Sequence, residues 1–281
     1  MIPTKKSISC NGKLLDLSTP IVMGILNITP DSFYDGGLHR DMDDIIKHCQ
    51  IMLNEGATII DIGAVSTRPY SEHVPMQEEL NRLIPALSAI RQVFPDIIIS
   101  VDTFRSQVAS LVVSEYNVDI INDISGGNFD DLMFETIARL HVPYMMMHIK
   151  GTPQNMQADP DYTDVVAEII ETFAQKIEKL KLLGVNDIVI DPGFGFGKSM
   201  VQNYEILNHL EAFQVLGTPI LVGLSRKSLI YRSLQISPNE SLNGTTVLNT
   251  IALLKGINIL RVHDVKQAVE AIQLVKLMQP K

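Results

Sequence analysis

Short apolar runs recur along the chain at 21–26, 58–61, 97–101, 119–121, 142–147, 187–190, 219–223 and 257–260, separated by longer stretches with helical spacing of apolar positions. The pattern predicts helices over 41–55, 76–93, 105–115, 130–140, 162–183, 202–212 and 240–255, and over 264–277 after the last run. A strand-helix pair repeated eight times has the size and order of an α/β fold of the (β/α)8 TIM barrel type. A doubly wound open sheet would normally have fewer parallel strands and, in a dinucleotide enzyme, a glycine fingerprint after the first one. Met23-Gly-Ile-Leu-Asn-Ile-Thr-Pro30 has no such fingerprint, which favours the barrel. Asn11-Gly12 is a strong two-residue turn signal, so the first twenty residues are expected to form a hairpin that covers the barrel floor. Asp264, just ahead of the last helix, is placed to cap its free amides. No Pro/Ser-rich linker or charge block divides the chain, and a single domain over 1–281 is expected.

Composition narrows the class. With 46% hydrophobic and 20% charged residues the chain is too apolar to be disordered. A net charge of −9 without a basic tract argues against nucleic acid as a partner. It leaves room for a small anionic ligand, because only the local field of a pocket matters there. Cys10 and Cys49 form neither a Cys-x-x-Cys pair nor a disulfide framework, which fits a reducing compartment. No run reaches the eighteen uninterrupted apolar residues of a membrane span, so a cytoplasmic protein without membrane contact is expected.

In a barrel of this kind the active site is built at the C-terminal ends of the strands. Those ends are polar here: Asn27 to Phe33, Asp61 to Arg68, Asp102-Thr103, Asn122-Asp123, His148, Asp191-Pro-Gly193, Ser225-Arg-Lys227 and Arg261-Val-His263. Any one of them is equally at home as a cap or turn residue. Eight in succession describe a pocket for a polar heterocycle and an anion together. The basic groups of 225–228 and 261–263 come from the last two strands, where this fold often binds phosphate. The loop Gly193-Phe-Gly-Phe-Gly-Lys198 has the glycines of a phosphate cradle without the P-loop pattern, and Phe194 and Phe196 are candidates to wall a flat aromatic ring. Among seven histidines there is no zinc motif; His148 and His263 stand out because they end strands. Met145-Met-Met147 reads as a core strand whose last thioether lines the pocket.

In order along the chain, these motifs resemble those of the bacterial dihydropteroate synthase family: Gly24-Ile-Leu-Asn-Ile-Thr-Pro-Asp-Ser-Phe33, Asp61-Ile-Gly-Ala with Ser66-Thr-Arg-Pro69, Ser100-Val-Asp-Thr103 and Ile121-Asn-Asp-Ile-Ser-Gly126. Met147-His148 with Gly151-Thr-Pro and Asn155-Met156, Asp191-Pro-Gly-Phe-Gly-Phe-Gly-Lys198, Gly223-Leu-Ser-Arg-Lys-Ser228 and Arg261-Val-His263 continue the set. Each motif alone is weak, and the ordered set, from about 18 to 277, is strong.

The resemblance implies a transferase that joins 4-aminobenzoate to the dihydropterin methyl diphosphate, releasing pyrophosphate and forming 7,8-dihydropteroate for folate synthesis. It implies catalytic roles for Asn27, Asp102, Asp191, Lys227, Arg261 and His263. Pterin contacts would be Asp102, Asn122, Met147, Asp191, Phe196 and Lys227, with Asp191 matched to the amino-amidine edge. The 4-aminobenzoate side would be Thr67, Arg68, Pro69, Phe196, Lys227 and Ser228, and the pyrophosphate side Asn27, Arg68, Arg261 and His263. Asn27 would ligate Mg2+, which neutralises a diphosphate leaving group. The family also implies a homodimer and loops after strands one and two that close over the site. The chain departs from the family at Tyr70 and Tyr231, where glycine is common, and at Ala64-Val65. A methyltetrahydrofolate methyltransferase or a non-catalytic pterin-binding homologue would share the Asp/Asn ring. The joint presence of Ser66-Thr-Arg-Pro69 and Ser225-Arg-Lys-Ser228 favours the synthase.

Overall fold

The computed structural model describes residues 4–28, 38–66, 74–154, 156 and 161–278. A hairpin of β1 (Ser7–Cys10) and β2 (Lys13–Asp16) comes first. Its turn residues Asn11 and Gly12 both have positive φ, 48° and 79°, the backbone twist that matches two right-twisted strands. Eight parallel strands follow: β3 (Ile21–Asn27), β4 (Ile59–Gly63), β5 (Ile98–Asp102), β6 (Ile120–Asp123), β7 (Tyr144–Met147), β8 (Ile188–Asp191), β9 (Leu221–Val222) and β10 (Ile259–Val262). They pair in the order β8-β7-β6-β5-β4-β3-β10-β9, and a bridge from Ile190 to Ile220 brings β9 back to β8. The ring is therefore the predicted (β/α)8 barrel.

The helices are α1 (Leu38–Asn54), α2 (Met76–Val93), α3 (Ser106–Tyr116), α4 (Met133–Leu140), α5 (Val165–Leu182), α6 (Met200–Asn208), α7 (Ser228–Leu234), α8 (Leu242–Leu254) and α9 (Val265–Met278). Three details depart from the sequence expectation. The 219–223 run yields only a two-residue strand, since Pro219 has no N–H and serves the sheet through its carbonyl, which accepts from Ile190 at 3.0 Å. The helix expected over 202–212 starts earlier, where Ser199 and Gln202 form a capping box, and gives way after Asn208 to a 3-10 segment, Leu210–Leu216. The short α7 was not expected at all; it follows directly from the turn that carries Lys227.

Side chains alternate across each strand, and the two faces have different environments. The outward set packs under the helices in a large core that includes Val22, Ile60, Ile99, Ile121 and Ile190. The inward set at the lower end is a separate apolar layer of Met23, Ile59, Ile120, Met145, Val189, Leu221 and Ile259. Ile8, Cys10, Leu15 and Leu17 of the hairpin segment pack into that layer, so the hairpin does plug the barrel floor. Both cysteines are buried and unpaired, and burial pushes each thiol up to about 12.

Candidate active site

Continuing the same alternation upward places Asp61, Asn122, Met147, Asp191 and Arg261 on the inward face above the apolar floor, with Asn27, Gly63 and Asp102 at the rim. Gly63 lacks a side chain where one would meet Asn27 Oδ1 at 3.4 Å and Asp102 Cβ at 3.7 Å, so the strand leaves room for both polar groups. The Arg261 guanidinium ties the layer together: Nε donates to Asp61 Oδ2 at 2.7 Å and Nη2 to Asp102 Oδ2 at 3.0 Å. Asn122 Nδ2 donates to the same Asp61 oxygen at 3.1 Å. Asp191 Oδ1 accepts the Gly193 amide at 2.8 Å, a tight turn that Gly193 makes with φ 72°. A Cβ on Gly193 would lie 2.0 Å from the His148 carbonyl oxygen, so only glycine fits there.

Burial dominates the electrostatics. It pushes Asp102 up to about 7, with Arg261 pulling the other way and Asp61 adding to the rise. Asp191 is likewise raised by burial against the pull of Lys227. Lys227 is pushed down to about 8 by burial, opposed by Asp191. Its Nζ donates to the Phe194 carbonyl at 2.6 Å and lies 4.8 Å from the Phe196 ring centre. Met147 and the Phe196 ring belong to one apolar cluster with Ile124, Ile149, Met156, Phe104 and Phe129, which gives the mouth a greasy wall opposite its charges. Ser228 is partly buried at the first position of α7, and Asn27 and His263 are exposed at the rim. The structure thus brings Asp102, Asn122, Met147, Asp191, Phe196, Lys227 and Arg261 into one mouth. Thr67, Arg68 and Pro69, with Tyr70 and the segment 29–37, lie outside the described residues.

Several strand-end residues turn out to fasten loops. Asp123 faces outward and accepts from Tyr144 Oη at 2.6 Å and from the amides of Ser125 and Gly127 at 2.7 and 2.9 Å. Ser225 Oγ accepts the His263 amide at 3.2 Å. Arg226 is turned to Asp264, donating from Nε at 2.9 Å and Nη2 at 2.7 Å, and so provides no anion site. His148 also faces outward, its ring packed 6.2 Å from those of Phe173 and Tyr162, and burial holds it down to about 2, hence neutral. The glycine-rich loop is not a phosphate cradle. Its carbonyls point inward at Lys198, whose buried ammonium donates to Phe196, Gly193 and His148 oxygens at 2.8, 3.0 and 3.2 Å, spending all three of its protons. Phe194 is fully buried in the outer core, so of the two aromatic candidates only Phe196 walls the mouth.

Two residues went unassigned in the sequence. Asp61 carried a signal in its strand parity, since it shares a face with Ile59 and Gly63 and so points into the barrel. Lys198 stands in the sequence only as the end of the glycine-rich loop, and its role as a clamp depends on how the glycines turn the carbonyls.

A closed parallel barrel with a buried carboxylate, amide and cation ring above an apolar plug is the architecture of the pterin-binding enzymes, and the family model of that description, "Pterin binding enzyme", matches residues 23–263. Dihydropteroate synthase of Escherichia coli (strain K12) is 44% identical over 267 residues, covering 94% of each chain. The Yersinia pestis dihydropteroate synthase in a sulfonamide drug complex superposes with a TM-score of 0.90 at 42% identity, over 97% of this chain and 98% of that one. The Xanthomonas albilineans enzyme in complex with 7,8-dihydropteroate gives 0.86 at 35% identity, over 98% and 99%. The chain belongs to the dihydropteroate synthase family. Among the described residues no helix is long and apolar enough to cross a membrane.

Proposed function

We propose that this chain is a dihydropteroate synthase that forms 7,8-dihydropteroate from (7,8-dihydropterin-6-yl)methyl diphosphate and 4-aminobenzoate. A C–N bond to the arylamine forms, the C–O bond to diphosphate breaks with its electron pair leaving on pyrophosphate, and the amine proton passes to solvent. The observation that carries this reading is the mouth itself, where two buried carboxylates, an amide, a lysine and an arginine surround a volume with one apolar wall.

Each group has a task that its geometry suits. Asp191 Oδ1 already holds the Gly193 amide, which orients the carboxylate so that Oδ2 accepts from the pterin's amino-amidine edge. Asn122 gives its NH2 to Asp61, leaving its carbonyl oxygen for a pterin N–H. Met147 and Phe196 hold the flat faces of the ring. An arylamine is a modest nucleophile, so C–O cleavage runs ahead of attack, and the ionised Asp102 stabilises the positive charge that develops on the pterin methylene. Arg261 has no partner on Nη1 among the described residues, which leaves that nitrogen available to the departing diphosphate together with His263 at the rim. Lys227 and Ser228 border the approach of 4-aminobenzoate, and Thr67, Arg68 and Pro69 complete that side by family likeness.

Mg2+ suits this mouth. Asn27 offers one exposed neutral oxygen beside Asp102, and no group of three or more His, Cys, Asp or Glu that could hold a metal exists among the described residues. A single protein ligand is what an ion needs when it keeps its waters and takes its other oxygens from substrate phosphates. Bound there, it supplies charge neutralisation to the leaving group. Two buried unpaired thiols support a cytoplasmic setting. Val247, Leu254, Leu274 and Leu277, exposed on the adjoining α8 and α9, support a homodimer through those helices.

The test is pyrophosphate release from the dihydropterin methyl diphosphate, with and without 4-aminobenzoate and Mg2+, following dihydropteroate in the same sample. One product per pyrophosphate, dependent on both additions, is the expected result. Tight pterin binding with no product would overturn the assignment in favour of a methyltransferase or a non-catalytic homologue.

A further inference from the structure

Asp61 sits inside the barrel between the apolar floor and the mouth, and none of the roles above falls to it. Its side chain is 0% exposed. One oxygen, Oδ2, receives both the Asn122 amide at 3.1 Å and Arg261 Nε at 2.7 Å, while the other, Oδ1, is buried without a hydrogen bond. Its register partner on β5, Ser100, also has a buried hydroxyl without a partner. The orphan Oδ1 is a cost to the fold, because a buried polar atom without a partner loses its hydration and gains nothing in return. What the carboxylate does at that cost is visible in its two contacts. A carboxylate accepts and does not donate, so the Asn122 group that faces it has to be the NH2, and the Asn122 carbonyl oxygen is turned the other way. The same oxygen anchors the guanidinium at Nε, which sets the plane in which Nη2 reaches Asp102.

We propose that Asp61 is a positioning residue for pterin recognition, fixing the Asn122 amide so that its carbonyl oxygen faces the substrate and fixing the orientation of Arg261. The inference rests on the reaction assigned above, and it adds a residue that touches no reacting atom. The exchange of a carboxylate for an amide probes it directly. In Asp61→Asn the new amide can donate, the Asn122 side chain is free to invert, and a donor then meets the pterin N–H where an acceptor stood.

The expected result for Asp61→Asn is a rise of about 10- to 100-fold in Kd and KM for the pterin diphosphate, the scale of a hydrogen bond left unmatched in a buried site. The KM for 4-aminobenzoate should move by less than about twofold, and the thermal midpoint should fall, because Arg261 loses one of its two carboxylate partners. Against an Asn122→Ala background the same exchange should have little further effect on pterin affinity. Unchanged pterin affinity, or a loss that adds fully to that of Asn122→Ala, would sink the proposal. A second measurement does not depend on a variant folding. In the unmodified protein the Asn122 side-chain NH2, observed by nitrogen-15 NMR, should exchange slowly with solvent and keep its shift when pterin is added, and fast exchange would overturn the assigned orientation. Failure of the unmodified protein to bind the pterin diphosphate would instead count against the reaction, leaving the amide measurement to decide the role of Asp61.

Discussion

The floor and the mouth of this barrel are built from the same strands, on the same inward face, two residues apart. Ile59 and Asp61, Ile120 and Asn122, Val189 and Asp191, Ile259 and Arg261 are successive inward positions of β4, β6, β8 and β10. The lower member of each pair packs against the hairpin in a dry layer, and the upper member is charged or an amide in the mouth. The lower layer stabilises the fold by removing apolar surface from water. The upper layer works against it, since burial raises both Asp102 and Asp191 and lowers Lys227. Stability and activity are therefore separated along a single strand by one step of its pleat.

The largest effect that sharpens this contrast is Asp191→Ala. Removing the matched acceptor at the pterin edge should lower kcat/KM by on the order of a thousandfold, while the urea midpoint moves little, because relief of a buried carboxylate offsets the lost Gly193 hydrogen bond and the lost attraction to Lys227. A variant that loses activity only in proportion to lost folded protein would break the contrast. One step down the pleat of the opposite strand, Ile59→Ala should do the reverse. Truncating a fully buried isoleucine in the plugged layer costs about 2–5 kcal/mol in the same unfolding experiment. Its KM values should stay within about twofold of the parent wherever the protein is folded.

The smallest effect is one of pH, and it joins the two regions. Asp102 is raised from its ordinary 3.8 to about 7, so the folded protein holds a proton there that the unfolded chain has released. The stability due to that proton is complete below about pH 4 and is lost as the pH rises through about 7. In the same window the ionised form, the one that stabilises the developing cation, becomes populated, so kcat/KM rises while the unfolding midpoint falls. Asp102→Asn should flatten both limbs, raising Tm by about 2–4 °C at pH 8 and leaving it near the parent value at pH 4. A parent protein whose stability rose between pH 4 and 7 relative to this variant would reverse the sign and reject the assignment.

Much of this was legible in the chain. The eight apolar runs located every barrel strand to within two residues at each end, because a strand buried on both faces has to be apolar along its length. Asn11-Gly12 announced its turn for a local reason, the positive φ of both residues. Asp102, Asn122, Asp191 and Arg261 were found as strand ends. Their neighbours Asp123, His148 and Arg226 looked equally eligible, and the structure turns them to fasten loops, pack against a helix or pair with Asp264. One residue of register separates the two groups, and an apolar run does not say which of its residues faces in.

The sequence by itself determined the order of elements, the apolar floor and the chemistry available at the strand ends, since these depend on residue type and on spacing within a few positions. Only the tertiary structure decided which ends meet. Asp61, Asn122 and Arg261 are joined through one carboxylate oxygen although the first and last stand two hundred positions apart. Lys198 became a structural clamp because three carbonyls, one of them fifty residues away, converge on its ammonium. Closing the sheet into a ring is what brings such groups within hydrogen-bonding distance, and it also shuts out the water that would otherwise weaken each contact.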